Sequence, residues 1–373
     1  MVIYAMLLIW VLLCSRIESM NISWGGEKLL SGRALYILLT FLPLWFVMAF
    51  RDVSVGTDTY TNASSFVSAA EAPSISYIMH DGFWNAGINV ISYLVGFFDT
   101  SMQMYIFYSS SIILLGFALF IYKISSKVWI STFLLLTLNL YFISFNASRQ
   151  FIAIAIAINA FVLIHKNAKR LMGWGLFLLA VWIHNSILSF VPAILGLWLV
   201  KHCRSYIRLY MISIAGALLV FVSVFAIANI FSSLFPHYEI YTQGTSGDNL
   251  IENTGGGKII AVYIVLGCIF LMYYWKQKVH HLTVNNTIFD AFIPGAIFCI
   301  VLGIGFASNT IMNRIVLPYE CFFICLIPCV QTLLKPKMQL LFSTCMILGM
   351  GAYYFLWVYA NLGNVLPYKT WLL

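Results

Sequence analysis

Read from Met1 onward, the chain alternates long apolar runs with short polar breaks. The runs fall at 1–17, 34–50, 103–122, 128–147, 150–165, 171–183, 187–200, 209–231, 259–275, 287–308, 315–334 and 338–360. Most approach the ~20 residues with which an α-helix crosses a membrane. Helices are the open-chain structures that satisfy their own backbone there. A further run, 83–98, is shorter and is broken by Asn85, Gly87 and Asn89. The stretch 171–200 has the opposite problem, since one continuous helix would be ~45 Å long. It is basic at both ends, with Lys166, Lys169 and Arg170 before it and Lys201, Arg204 and Arg208 after it. Both ends therefore face the cytoplasm, and the segment turns back near His184-Asn185-Ser186.

This pattern predicts an all-α polytopic membrane protein of about 12 transmembrane helices. The whole chain, 1–373, reads as a single transmembrane domain with outer loops 51–102 and 232–258. If 83–98 crossed, Lys123 and Lys127 would face away from the basic loop 166–170. An interfacial or re-entrant helix at 83–98 removes the conflict and places both termini outside. Of the 20 Lys and Arg residues, only Arg51, Arg149, Lys258, Arg314 and Lys369 then lie outside, as the positive-inside rule requires. The acids Asp52, Asp58, Glu71, Asp81, Asp99, Glu239, Asp248 and Glu252 gather on that outer face.

Composition agrees. The chain is 62% hydrophobic and 9% charged, with mean hydropathy +0.94; a soluble domain carries about 25% charged residues. The formal charge of +8 comes from Lys and Arg scattered between apolar runs. It orients the loops and is no nucleic-acid signal. Cys321, Cys325 and Cys329 repeat every fourth residue within one run, where small packing residues are the simpler reading than a zinc stripe. No metal site or cofactor is predicted. With no basic stretch before it, the first run reads as a retained span.

The outer arginines carry the chemistry. Arg51 opens Arg51-Asp52-Val53-Ser54-Val55-Gly56-Thr57-Asp58-Thr59-Tyr60, Arg149 lies in Asn146-Ala147-Ser148-Arg149-Gln150, and Arg314 follows Asn313. An arginine at a span end can snorkel to headgroups. Three of them, on the side that normally lacks cations, suit a phosphate or pyrophosphate, whose oxygens the guanidinium fork binds in pairs. His184 falls at the tip of the folded-back segment. It is either a hydrogen-bonded structural residue or a group that titrates near neutral pH. The stretch 235–258, with Tyr238, Tyr241 and Gly255-Gly256-Gly257-Lys258, fails the P-loop spacing because Ile259 follows Lys258. It reads as a mobile lid with aromatic contacts or as a plain connector.

Together these residues resemble the Wzy/EpsG-like family of bacterial polysaccharide polymerases, membrane glycosyltransferases of GT-C-like architecture. The resemblance runs from about 50 to 330. It rests on Arg51…Gly56-Thr57-Asp58…Tyr60, Ser148-Arg149-Gln150, Trp182-Ile183-His184-Asn185-Ser186, Tyr238…Tyr241 with the glycine run, and Arg314…Tyr319…Pro328. One departure stands at Asp81-Gly82-Phe83, where many members carry a Glu-Pro pair. The resemblance implies a multi-pass protein of the bacterial cytoplasmic (inner) membrane. It would polymerise oligosaccharide repeat units linked through pyrophosphate to undecaprenol, giving O-antigen, capsule or exopolysaccharide. A chain-length regulator protein is an implied partner. The substrate-binding set is then Arg51, Arg149, Arg314, Gln150, Asn146, Tyr60, Tyr241 and Tyr319, with His184 and Asp58 as catalytic residues. His184 is favoured as the base because imidazole is basic near neutral pH, with Asp58 orienting the acceptor or an arginine. Two rival classes stay open. A transporter or flippase for a lipid-linked glycan would show inverted repeats, and none is visible. A membrane O-acyltransferase would take a cytoplasmic donor, which sits poorly with His184 outside.

Overall fold

The computed structural model describes residues 1–24, 27–80, 86–166, 169–234, 267, 271, 287–306 and 314–372. Its helices are α1 (Val2–Leu13), α2 (Gly32–Ala49), α3 (Thr59–Ala70), α4 (Ile75–Met79), α5 (Ala86–Gly96), α6 (Met102–Ile124), α7 (Val128–Thr137) and α8 (Leu140–Asn146). They continue as α9 (Ser148–His165), α10 (Arg170–Ile183), α11 (Val191–His202), α12 (Tyr206–Leu234), α13 (Ile288–Gly305), α14 (Leu317–Thr332) and α15 (Pro336–Tyr359). One short antiparallel hairpin, β1 (Asn21–Trp24) with β2 (Glu27–Ser31), separates α1 from α2. The other named elements among the described residues are helices joined by loops.

Among the described residues, eight helices are long and apolar enough to cross a membrane, nine if the bent pair α7 and α8 counts as one span. The chain is thus a multi-pass membrane protein. The expected dozen is not reached among the described residues. Helices α10 and α14 are apolar but only 14 and 16 residues long, and most of the run 259–275 lies outside the described residues. Helix α5, at 11 residues, rises only ~16 Å. The bend of 49° between α7 and α8 falls at Asn139, whose left-handed backbone (φ 61) breaks the helical hydrogen-bond ladder.

The chain sorts into two compact units, residues 1–188 with 327–373 and residues 189–326. In the first, α9 lies at the centre with α6 and α10 against it. A Cβ at Gly116 of α6 would lie 2.7 Å from the Cβ of Ala155, so the two backbones meet where neither side chain is large. Asn159 bridges them, donating to the Gly116 carbonyl at 2.9 Å. Small residues at such crossings let membrane helices approach by close packing.

The ends of this unit's helices sort into two sets. At one, Arg33 donates to the carbonyls of Tyr122, Ile121 and Ser125 at 2.7, 3.1 and 2.7 Å, capping the last turn of α6 as cations do. There Glu18 also accepts from the Val128 and Trp129 amides at the start of α7. At the other, Tyr4 donates to the Val365 carbonyl at 2.9 Å, Gln103 to the Ala49 carbonyl at 2.9 Å, and the Asp52 amide to the Lys369 carbonyl at 2.9 Å. The first turn of α1 and the C-terminal tail therefore share the end that carries Arg51.

In the second unit, a capping box of Thr287 and Asp290 starts α13, and Tyr206 donates to Asp290 at 2.8 Å. Phe292 stacks on Phe322 with ring centroids 4.8 Å apart.

Candidate functional site

Arg51 follows α2 directly and is fully buried. Its Nη1 donates to the Met48 carbonyl at 2.5 Å and to Ser110 Oγ at 3.3 Å, and its Nη2 donates to the Phe145 carbonyl at 3.4 Å. The guanidinium lies 4.4 Å from the centre of the Phe145 ring, a cation–π contact. Its Nε has no hydrogen-bond partner among the described residues. The backbone around it is latched by the tail: Arg51 pairs with Thr370 in an antiparallel bridge, and Thr370 Oγ1 donates to the Phe50 carbonyl at 2.8 Å. This burial removes the snorkelling reading for Arg51. It also means the visible contacts of the guanidinium are to protein.

Beyond Arg51 the loop turns sharply at Gly56 (φ 108), a conformation that favours glycine. The turn delivers the Thr57 amide to Asn146 Oδ1 at 2.8 Å. Asn146 is a hub, for its Nδ2 donates to the Gly363 carbonyl at 3.1 Å and its own carbonyl accepts from Asn62 at 3.0 Å. Asn62 also reaches Ser148 Oγ at 3.4 Å, and Ser148 Oγ lies 2.6 Å from the Tyr105 hydroxyl. Asp58 precedes α3 without its side chain capping the helix, and it is partly exposed. Asp52 is exempt from this network: Ser54 hydroxyl and amide hydrogen bonds hold its carboxylate below the usual range.

Ser148-Arg149-Gln150 form the first turn of α9. These residues lie at the N-terminal, positive end of the α9 dipole. Arg149 is half-buried and lies beside Tyr105, which Arg51 also neighbours. Gln150 donates to Ser186 Oγ at 3.1 Å, and Ser186 Oγ lies 2.7 Å from His184 Nδ1. The helix break anticipated at His184 is present: its backbone is extended (φ −152, ψ 111) at the end of α10, and a 3-10 turn, Asn185–Phe190, follows.

Arg51, Asp58, Asn146, Arg149, Gln150 and His184 therefore belong to one unit and are joined by short hydrogen-bond chains or direct proximity. Tyr60 lies exposed on α3. Arg314 is exposed in the turn before α14, in the other unit. Tyr319 is buried there, donating to the Ser189 carbonyl and stacked on Phe298 at 5.8 Å. Tyr241 and the glycine run 255–257 lie outside the described residues. Sequence reasoning missed Tyr105, Asn62 and the tail 363–370. A signal existed for the first: Tyr105, Tyr108, Ser109 and Ser110 are polar groups inside an apolar run.

The observation that decides identity spans nearly the whole chain: the EpsG family model matches residues 34–370. The chain belongs to the EpsG family. No curated protein and no solved structure matches it. As an EpsG-family protein it is a multi-pass protein of the bacterial inner membrane and a glycosyltransferase, a Wzy/EpsG-like polymerase of lipid-linked glycan repeat units. The transporter and acyltransferase readings fall with this match.

Proposed function

We propose that this EpsG-family polymerase transfers a growing glycan from undecaprenyl pyrophosphate to the sugar of another undecaprenyl-pyrophosphate-linked repeat unit. The reaction runs on the outer face of the membrane, in the cluster formed by the 51–62 loop, the start of α9 and the 184–186 turn. The observation that carries this reading is Arg149, half-buried in the first turn of an 18-residue helix with Arg51 behind the same tyrosine. A pyrophosphate leaving group is low in basicity, so neutralising its charge matters more than protonating it. Preorganised cations and helix amides supply that stabilisation. Arg149 touches the pyrophosphate, and Arg51 contributes its charge from behind. Gln150, Asn146 and Tyr60 line the sugar path, and His184 and Asp58 serve the proton transfer. Tyr319, buried as it is, acts by holding its helix.

Sidedness is part of the proposal. The proposed topology places both termini outside. That agrees with α1 and the tail sharing the Arg51 end. A chain-length regulator is the proposed protein partner. The test is lipid-linked glycan analysis of a deletion strain beside the complemented one. Accumulation of single-repeat lipid in place of polymer is the expected result; unaltered polymer in the deletion strain overturns the proposal.

A further inference from the structure

The turn that follows α15 reaches the 51–57 loop through a chain of hydrogen bonds. We propose that Asn361 is a positioning residue: its carboxamide closes the 361–366 turn, and that turn holds the 51–57 loop in its working place through two backbone carbonyls. This inference rests on the polymerase reading above and adds a residue that touches neither the substrate nor the reacting atoms.

Asn361 stands just past the end of α15 with left-handed backbone (φ 51), where asparagine is among the few side chains that fit. Its amide donates back to the Val358 carbonyl at 3.0 Å. The carboxamide then spans the turn. Its Nδ2 donates to the Leu366 carbonyl at 3.0 Å, and its Oδ1 accepts from the Leu366 amide at 2.8 Å. One side-chain amide thus pairs with both backbone groups of a single residue, as a neighbouring strand would. Inside the closed turn the Asn364 amide donates to the Asn361 carbonyl at 3.0 Å, and the Val365 carbonyl is anchored to α1 by the Tyr4 hydroxyl.

Two carbonyls of this turn serve the loop. That of Asn364 accepts from the Gly56 amide at 2.9 Å. That of Gly363 accepts from Asn146 Nδ2 at 3.1 Å, while Asn146 Oδ1 accepts from the Thr57 amide at 2.8 Å. Two consecutive loop amides therefore depend on where the turn lies, one directly and one through Asn146. Asp58, assigned above to the proton transfer, follows Thr57 directly. Every residue type carries a backbone carbonyl, so the side chain that fixes the turn bearing these two is where the sequence acts, and that side chain is Asn361. A misplacement of about 1 Å in a reacting group can cost ~10²-fold in rate. Arg149 stands on α9 and not on this loop, so loss of Asn361 should strike the transfer step and leave substrate binding in place.

The test compares the full-length protein in nanodiscs with Asn361→Gly, which keeps the left-handed backbone and removes both side-chain bonds. Leu362→Gly, at an exposed side chain of the same turn, controls for added backbone freedom. Hydrogen–deuterium exchange read by mass spectrometry should run at least roughly tenfold faster over 52–57 in Asn361→Gly, as the loss of about two hydrogen bonds predicts, with α9 unchanged. On a lipid-linked repeat unit, kcat per folded molecule should fall ~10- to 100-fold while KM stays within about threefold. A residue that merely stabilises the fold would lower the folded amount and leave both constants alone. Unchanged exchange over 52–57, or faster exchange with an unchanged kcat, overturns the proposal, and so does a Leu362→Gly protein with the same losses. Should Asn361→Gly fail to accumulate, Asn361→Asp, which loses only the Nδ2 bond, goes through the same measurements with the same deciding outcomes. Should the wild-type protein itself fail to polymerise that substrate, the polymerase reading fails, and the exchange measurement still decides whether Asn361 holds the loop.

Discussion

Replacing Gly56 by alanine would test whether the Asn146 hub is as rigid as its bonds imply. A Cβ at this position would stand 2.5 Å from Thr59 Oγ1 and 2.6 Å from Asn146 Oδ1. Neither atom can give freely. Thr59 Oγ1 donates to the Val55 carbonyl at 2.8 Å. Asn146 is pinned at both ends of its amide, by Thr57 N at 2.8 Å and by Gly363 O at 3.1 Å. The backbone adds its own cost, since φ 108 is disfavoured for an L side chain by roughly 1–2 kcal/mol. Losing the Thr57–Asn146 bond adds about 1 kcal/mol. The loop should therefore desert its closed position by about 2–3 kcal/mol, or roughly 30- to 150-fold in population. The assay is the initial polymerisation rate in proteoliposomes beside a thermal unfolding curve. The rate should fall by more than tenfold while the fold survives, because the membrane core is untouched. Gly175→Ala is the control, for nothing lies within 4 Å of its added methyl. A Gly56→Ala enzyme with wild-type rate and stability would refute the reasoning.

Arg149→Ala should abolish polymer formation at normal protein abundance, and Arg149→Lys should restore only part of it, since a point charge lacks the guanidinium fork; lipid-linked glycan analysis of complemented strains reads both. Arg33→Met removes three bonds to carbonyls around the end of α6 and should cost about 2–3 kcal/mol of stability, with activity per folded molecule unchanged. Tyr319→Phe loses only the bond to the Ser189 carbonyl, so it should lower the unfolding temperature and leave KM for the repeat unit alone. A raised KM with unchanged stability would return Tyr319 to the substrate site.

Much of this was written in local patterns, and the rest could not be. The long apolar runs mark their spans because a membrane core demands continuous helix. The break at His184 was legible because basic residues on both sides forbade a single crossing. Arg149 stood out as a charge between two runs with almost no loop. Arg51 was legible as unusual but not as buried: what encloses it comes from Ser110, Phe145 and Thr370, scattered over the whole chain. The tail 363–370 gave no signal, because it contributes mainly backbone carbonyls, which every residue type carries. The surroundings of Tyr319 were hidden for a related reason. Beside Arg314 in sequence it looks like a site residue, yet helix geometry turns it into the aromatic cluster of Phe190 and Phe298.

In the proposed site, Arg51 serves the chemistry without touching the substrate. Burial pushes its guanidinium down to about 10, which still leaves it charged at neutral pH. Its hydrogen bonds go to two carbonyls and one hydroxyl and its flat face to a ring, all of them neutral groups. The tyrosines Tyr4, Tyr105, Tyr141 and Tyr368 that surround it add dipoles and no formal negative charge. These partners fix the cation in place without cancelling it. At an effective dielectric of about 20, a unit charge ~8 Å away still contributes ~2 kcal/mol to an anion. Screening by salt would erode that at an exposed site but much less at a buried one. Arg149, half-buried rather than fully buried, hydrogen-bonds to Tyr105. A site with one half-buried and one fully buried cation near the first turn of α9 suits an anion such as pyrophosphate. In the proposed reaction, direct contact falls to Arg149 and the fixed field to Arg51, so the two arginines are not interchangeable.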